Sequence, residues 1–309
     1  MKSEIRIGTR RSPLALWQAK WVARQLELVQ LAGELVPMDT KGDQLQNLPI
    51  PEIGSKGVFT AELELELASG NIDIAVHSAK DMPSELPAEF EIIAYTVREQ
   101  AHDVVISFNS HLDLKESITI GTSSSRRVAL FHHYYPNINT VSVRGNLQTR
   151  LKKMEQGGMD GLALAYAGVH RLGLNGLIRH SMAKNVFVPA VGQGSMAIEV
   201  SKRINPQKKA RIRECLNDPL TEYCLTTERA FLYTIQGGCS IPAFAYAELS
   251  DGVIKVIGGI VSLDGNQVVQ LSLKGPLDHA HRLGEKLGRK VLGSGGAKIM
   301  EEIKSHLND

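Results

Sequence analysis

The sequence predicts an α/β fold: two doubly wound domains followed by a small C-terminal α+β domain. Three observations carry this. From Ile5 to about Val200, short apolar runs alternate with amphipathic helical segments, the pattern of strands joined by helical crossovers. After Phe244 the style changes to three strand patterns, with hairpin turns at Ser250-Asp251-Gly252 and Asp264-Gly265-Asn266, and two closing helices. The chain has 309 residues, more than one core usually serves. The expected boundaries are 1–97 plus 194–215 for a first domain, 98–193 for a second and 216–309 for a third.

Ile5-Arg6-Ile7-Gly8-Thr9-Arg10 reads as a strand entering a turn. Ser12 is a good N-cap and Pro13 sits at the favoured first helical position. Leu14, Trp17, Trp21 and Gln25-Leu26 then recur at helical spacing, predicting a helix. Arg10 and Ser12 thus stand at a helix N-terminus, either an anion site or an ordinary capped helix with a surface arginine. Residues 34–40 read as a second strand. Residues 44–57 are rich in Gly, Pro and polar side chains and lack periodicity. That is long for a plain connection and reads as a loop over an active site, with Lys56 in Gly54-Ser55-Lys56-Gly57. Residues 61–67 alternate like a strand, but they are strong helix formers, and Phe59, Leu63 and Leu67 share one helical face, so a helix is expected.

Ile72 to Val76 reads as a short buried strand. It runs into His77-Ser78-Ala79-Lys80-Asp81-Met82-Pro83, where Pro83 stops regular structure. Strand ends are where open α/β sheets place functional groups. Taken alone, the heptapeptide favours a solvated turn with two opposite charges, and it is the arginine-bearing turns and the glycine-flanked cysteine elsewhere in the chain that turn the reading toward chemistry.

Residues 92–97 and 104–107 read as strands, and Arg98, Glu99 and Asp103 lie in a crossover between them. Next come a strand at 117–120, the turn Gly121-Thr122-Ser123-Ser124-Ser125 and a helix opened by Arg126-Arg127. Hydroxyls and free N–H groups at a helix start, with two guanidiniums, make a carboxylate or phosphate cradle. The GxxxxGK[ST] spacing of a nucleotide loop is absent. The pattern repeats: a strand at 140–143, Arg144-Gly145-Asn146, then a helix carrying Arg150. A further strand at 160–165 precedes a short helix, 166–174, with His170 and Arg171. Guanidiniums at successive strand-to-helix turns point to a polyanionic ligand. Residues 186–189 read as a strand end before the glycine turn that carries Gln193, and 195–200 as a strand returning to the first domain. Helices are expected over 205–216 and 219–235.

The second of these helices ends at Gln236-Gly237-Gly238-Cys239-Ser240-Ile241-Pro242. Cys215 and Cys224, in helical settings, read as small hydrophobes. Cys239, in a glycine loop, is either another of these or a thiolate that forms a covalent bond. The three cysteines have no metal-type spacing, so no metal site is expected. A net charge of +2 argues against a nucleic-acid binder. No apolar run reaches the length of a membrane span. Residues 1–7 lead straight into a strand pattern, so a cytoplasmic protein is expected.

Eight motifs in order carry a resemblance: Thr9-Arg10-Arg11-Ser12-Pro13-Leu14-Ala15-Leu16, Gly54-Ser55-Lys56-Gly57, His77-Ser78-Ala79-Lys80-Asp81, Gly121-Thr122-Ser123-Ser124, Arg126-Arg127, Arg144-Gly145-Asn146, Ala190-Val191-Gly192-Gln193-Gly194 and Gly237-Gly238-Cys239. On these the sequence resembles the hydroxymethylbilane synthase (porphobilinogen deaminase) family, from about Ile5 to the C-terminal helices. The resemblance implies two periplasmic-binding-protein-like domains with a cleft between them. It implies a dipyrromethane cofactor joined by a thioether to Cys239. Four porphobilinogens are then added, each losing ammonia, and water releases the linear tetrapyrrole. A monomer with no nucleic-acid or membrane partner is expected. Asp81 is implied as the catalytic carboxylate, stabilising the azafulvenium cation left by ammonia and handling protons. Cys239, Lys80, Asp81, Ser124, Arg126, Arg127, Arg144 and Gly145 are implied at the cofactor. Arg10, Ser12, Gln18, Lys56, Arg150, Arg171 and Gln193 are implied at the substrate, with Phe59 beside Lys56 in the loop.

The sequence departs from the family pattern at Ala79, where methionine is common, at Ser125, where leucine is, and at Ser55, where glycine is. Glu52 replaces a frequent lysine in the loop. Two rival readings are a two-lobed anion-binding module without chemistry and a phosphate-transferring enzyme. The Gly-Gly-Cys loop argues against the first, and the missing nucleotide loop against the second.

Overall fold

The computed structural model describes residues 4–44, 60–238 and 241–308. The chain divides into two units, Met1–Glu99 with Gly194–Glu222 and Gln100–Gln193 with Tyr223–Asp309.

In the first unit, strands β1 (Glu4–Arg10), β2 (Ala32–Met38), β3 (Ile74–Ser78), β4 (Phe90–Tyr95) and β10 (Met196–Ser201) form one sheet in the order β2-β1-β3-β10-β4. β1 runs parallel to β2 and β3, and β10 runs antiparallel to β3 and β4. A parallel pair needs a long crossover, and helix α1 (Pro13–Leu28) supplies it between β1 and β2. A single turn of helix, α2 (Lys41–Gln44), follows β2. Helix α3 (Ala61–Ser69) precedes β3, and α7 (Pro206–Leu216) follows β10. The sheet buries both faces, as a doubly wound unit must. On one side Ile5, Ile7, Ile74 and Ile198 pack with Val22, Leu26 and Ile212 of the helices. On the other, Leu63 and Leu67 of α3 pack with Ile72, Ala75 and Phe90.

The alternation at 61–67 is therefore a helix, as its residue types required, and Gly70 at φ 74° ends it. Helix α1 forms where the spacing predicted it. The buried face is Ala15, Gln18, Ala19, Val22, Ala23 and Leu26, while Leu14, Trp17 and Trp21 lie on the flank. The alanines let the helix backbone approach the sheet closely, and Trp21 packs partly buried against the same core. β3 also runs two residues beyond its expected end, through His77 and Ser78, and a single 3₁₀ turn, Ala79–Asp81, follows it.

In the second unit, β5 (Asp103–Ile106), β6 (Ile118–Gly121), β7 (Ile138–Val141), β8 (Gly161–Ala165) and β9 (Ile178–Ser181) form a sheet in the order β7-β6-β8-β5-β9. β6 is parallel to β7 and β8, and β5 is antiparallel to β8 and β9. Helices α4 (Ser125–Tyr134), α5 (Leu147–Glu155) and α6 (Tyr166–Arg171) follow β6, β7 and β8. β9 falls in a segment with no clear strand pattern. Residues 186–189, expected as a strand, form turns instead. Phe187 is sunk into the core and the Val188 carbonyl is taken by a guanidinium, so neither joins a ladder.

Helix α8 (Pro219–Thr234) leads to an antiparallel meander, β11 (Ala243–Ser250), β12 (Val253–Val261) and β13 (Val268–Pro276). Helices α9 (Ala280–Val291) and α10 (Ala297–Asn308) close the chain. Phe244 and Val261 of this meander share one cluster with Val105, Ile120, Phe131 and Phe187. Gly284 of α9 has no room for a side chain, because a Cβ there would lie 2.1 Å from the Thr227 carbonyl of α8. The two helices pack that closely only because the residue is glycine.

Candidate functional site

β1 and β3 are parallel neighbours, so their C-terminal ends open on the same edge of the first sheet. There a cavity of about 60 Å³ is lined by Arg10, Ser12, Gln18, His77, Ser78 and Asp81, among others. Ser12 caps α1, its Oγ accepting from the Ala15 N–H at 3.3 Å. Gln18 is buried in α1 and its Nε2 donates to Ser78 Oγ at 2.9 Å. Asp81, in the 3₁₀ turn after β3, is exposed, and Lys80 is half-buried. Four residues expected from separate stretches, Arg10, Ser12, Gln18 and Asp81, thus meet around one hollow. A carboxylate, a guanidinium, a hydroxyl and an amide are what a cationic centre carrying its own carboxylates requires.

The second unit gathers its charges differently. Asp103, at the head of β5, is fully buried. Its Oδ2 accepts from Arg126 Nη2 at 2.7 Å, and its Oδ1 from Arg127 Nε at 3.0 Å and Nη2 at 2.7 Å. Gln193 Nε2 donates to the same Oδ1 at 3.0 Å and to the Ala101 carbonyl at 2.6 Å. Arg126 also donates to the Val188 carbonyl, and Arg127 to that of Ala163. Burial alone would raise the pKa of Asp103, but the charges of Arg126 and Arg127 overcome it and hold the carboxyl at about 2. The two guanidiniums of the expected cradle are thus built around a buried carboxylate. Arg126, Arg127 and Gln193 are buried and committed to Asp103 and to backbone carbonyls, because buried guanidiniums need a counter-charge. Ser124 caps α4, its Oγ accepting from the Arg127 N–H. Two guanidiniums against one carboxylate leave the cluster with one net positive charge.

Beside this cluster, Ser123 Oγ donates to the Val143 carbonyl at 2.7 Å and stitches the turn after β6 to the chain after β7. Gly145 has φ 112°, a conformation that side chains resist, and its carbonyl accepts from Arg150 Nε at 2.8 Å. Asn146 caps α5 through the Thr149 N–H. Nη1 of Arg144 is buried and has no hydrogen-bond partner among the described residues. Arg171 is half-buried in the last turn of α6. Lys56, Phe59 and Cys239 lie outside the described residues.

Two site members carried no motif. Glu199, fully buried in β10, lies 3.0 Å from His77 Nε2. Its signal was a lone carboxylate in the apolar run Met196-Ala197-Ile198-Glu199-Val200. Glu228 of α8 is likewise buried, accepting from the Gly192 N–H at 2.8 Å and the Ala247 N–H at 2.7 Å. It fixes the glycine turn next to Gln193.

Residues 5–209 match the family model described as "Porphobilinogen deaminase, dipyromethane cofactor binding domain", and residues 222–293 match "Porphobilinogen deaminase, C-terminal domain". The chain belongs to the porphobilinogen deaminase family. Curated relatives of that name are similar along the whole length. That of Desulfosudis oleivorans is 50% identical over 97% of this chain and 98% of its own. That of Cytophaga hutchinsonii is 46% identical over 100% and 99%, and that of Desulfitobacterium hafniense 41% over 98% and 98%. Among solved structures the chain is similar to the methionine-binding protein MetQ, at 10% identity and a TM-score of 0.44, covering 69% of this chain and 89% of that one.

The activity is that of a hydroxymethylbilane synthase, a transferase of porphyrin biosynthesis that works on a dipyrromethane cofactor. The residues present fit such a group. The orphaned Arg144 Nη1 and the uncompensated charge of the Asp103 cluster both call for carboxylates, which each ring of a dipyrromethane carries. Among the described residues no helix is long and apolar enough to cross a membrane.

Proposed function

We propose that Asp81 is the catalytic carboxylate of this synthase and that the two units divide the remaining work. When bound, dipyrromethane supplies the ring carbon at which chain growth begins. In the first unit Arg10, Ser12 and Gln18 hold the substrate's side chains, and Asp81 stabilises the cation left by ammonia and moves protons at the pyrrole nitrogen and at the ring carbon. Lys80 and Asp81 bound the cofactor's place on that side. In the second unit Ser124, Arg126, Arg127, Arg144 and Gly145 receive its carboxylates, while Arg150 and Arg171 take those of the incoming monomer. Gln193 is assigned to the substrate, acting through the Asp103 cluster that it braces. Lys56 and Phe59 cover the site, and Cys239 holds the cofactor through sulfur.

One observation carries this reading: Asp81, Arg10, Ser12 and Gln18 line a single cavity. We propose further that the second unit comprises two domains, 98–193 and 216–309, a division supported by its two separate sheets, and that 1–97 with 194–215 forms the other. A cytoplasmic monomer is the form we assign, testable by sedimentation of the purified protein.

The deciding experiment is intact mass before and after porphobilinogen is supplied. Wild-type protein should carry an adduct of two pyrrole units, extend it and release ammonia. Cys239→Ala should show the bare polypeptide. A bare wild-type chain that no monomer modifies would overturn the reading.

A further inference from the structure

Behind the Asp81 cavity lies a buried pair to which the roles above assign no task. His77 on β3 and Glu199 on β10 sit on adjacent antiparallel strands, with Nε2 3.0 Å from Oε2. The side chains are 4% and 0% exposed. On the sheet face they share, Ala75 and Ala197 are buried and apolar, and so are Leu63 and Leu67 of α3, which packs on that face. Placing ionisable groups there is strongly unfavourable, and apolar side chains of similar volume would stabilise the fold as well or better. The pair is therefore not explained by stability.

Glu199 is also under-satisfied: its Oε1 is buried and has no hydrogen-bond partner among the described residues. Its other oxygen has the His77 imidazole as partner, so that one hydrogen bond carries the offset to its burial among the described residues. A third acid, Glu64 of α3, senses the pair. Burial is the main cause raising its pKa, and the charge of Glu199 adds to this while His77 opposes it. On the open side His77 lines the cavity together with Arg10, Ser78 and Asp81.

We infer that His77 and Glu199 are positioning residues for Asp81. Their hydrogen bond fixes the imidazole in one orientation beneath the cavity. They thereby set both the seat of the Ser78–Asp81 turn and the field in which a cation forms. The charged groups around His77 are Glu199 from β10, Glu64 from α3, Arg10 at the end of β1, and Lys80 and Asp81 in the turn that follows. The inference deepens the proposed role of Asp81 and rests on it.

The test is Glu199→Gln in the holoenzyme. Glutamine keeps the shape and an acceptor for His77 but loses the carboxylate charge. Intact mass should still show the loaded cofactor, and KM for porphobilinogen should stay within about twofold. kcat should fall about 10- to 100-fold, as when a group that orients a working residue is lost, and the pH profile of kcat should move. Glu199→Asp should recover part of the rate. His77→Gln should match Glu199→Gln, and the double variant should be no worse than either, as for two members of one unit. Unchanged kcat and pH profile in Glu199→Gln would overturn the inference, as would a loss that merely tracks the folded fraction. Should Glu199→Gln not fold, His77→Gln decides by the same readouts. A wild-type protein without adduct or turnover would instead sink the Asp81 reading.

Discussion

The two units share a plan and then part. Each sheet has two parallel strand pairs on one side and, inside the other edge, a strand antiparallel to both its neighbours, β10 in the first unit and β5 in the second. In both cases this strand enters from the other unit and buries one carboxylate, Glu199 or Asp103. Asp103 is saturated, with four donors at 2.7–3.0 Å, two cations among its partners and a pKa held at about 2. Among the described residues Glu199 has one partner and one orphaned oxygen. A saturated buried charge is an anchor: it fixes two guanidiniums and leaves them one net positive charge for an anionic partner. A half-satisfied one is poor structure and belongs beside chemistry. The same strand position thus serves binding in one unit and reaction in the other.

The largest effect that would break this division is at Asp81. Asp81→Asn should lower kcat by about a thousandfold or more, roughly 4 kcal/mol of transition-state stabilisation. It should leave cofactor mass and melting temperature unchanged, since the side chain is exposed. A variant near wild-type rate would move the reaction out of the first unit. Next comes Asp103→Asn, which leaves two buried guanidiniums without a counter-charge and should cost about 3–5 kcal/mol of stability, read by urea denaturation. Glu199→Gln should cost clearly less. Equal costs would erase the contrast between anchor and working pair.

Acid sharpens the same contrast. The carboxyl of Asp103 titrates at about 2 when folded, below its ordinary value of 3.8. A lowered folded pKa means stability that is fully present above about pH 4 and lost as pH falls toward 2. That amounts to about 2 kcal/mol. Urea midpoints of wild type and Asp103→Asn should therefore converge between pH 5 and pH 2. A constant gap would show that the carboxylate is not held by the guanidiniums.

Much of this was legible in the sequence, and the reasons are physical. Strand-to-helix alternation needs only local periodicity, so both doubly wound sheets and the C-terminal meander could be read. Cap residues announce themselves: Ser12 caps the helix expected of it, while Ser124 and Asn146 cap helices that open at the expected turns. Arg10, Gln18 and Asp81 could be placed near ligand only through motifs, because β1 and β3 become neighbours only when the sheet forms. The commitments of Arg126, Arg127 and Gln193 were hidden, since their partner Asp103 lies 23, 24 and 90 residues away. Glu199 was hidden likewise, 122 residues from His77.

The smallest expected effect separates a cap from a contact. Ser12 and Asn146 perform the same local service, Ser12 Oγ accepting from the Ala15 N–H at 3.3 Å and Asn146 Oδ1 from the Thr149 N–H at 2.9 Å. Replacing either by alanine should therefore remove about 1 kcal/mol of stability, visible as a similar fall in melting temperature. Ser12 also lines the Asp81 cavity. Its hydroxyl accepts in the cap and still has its proton to donate, so a substrate carboxylate can use it at the same time. Asn146 has no such second surface in the first unit. Ser12→Ala should thus raise KM for porphobilinogen several-fold, about 1 kcal/mol of binding, while Asn146→Ala leaves KM near wild type. Equal KM values at equal stability loss would reduce Ser12 to a helix cap and confine substrate binding on that side to Arg10 and Gln18.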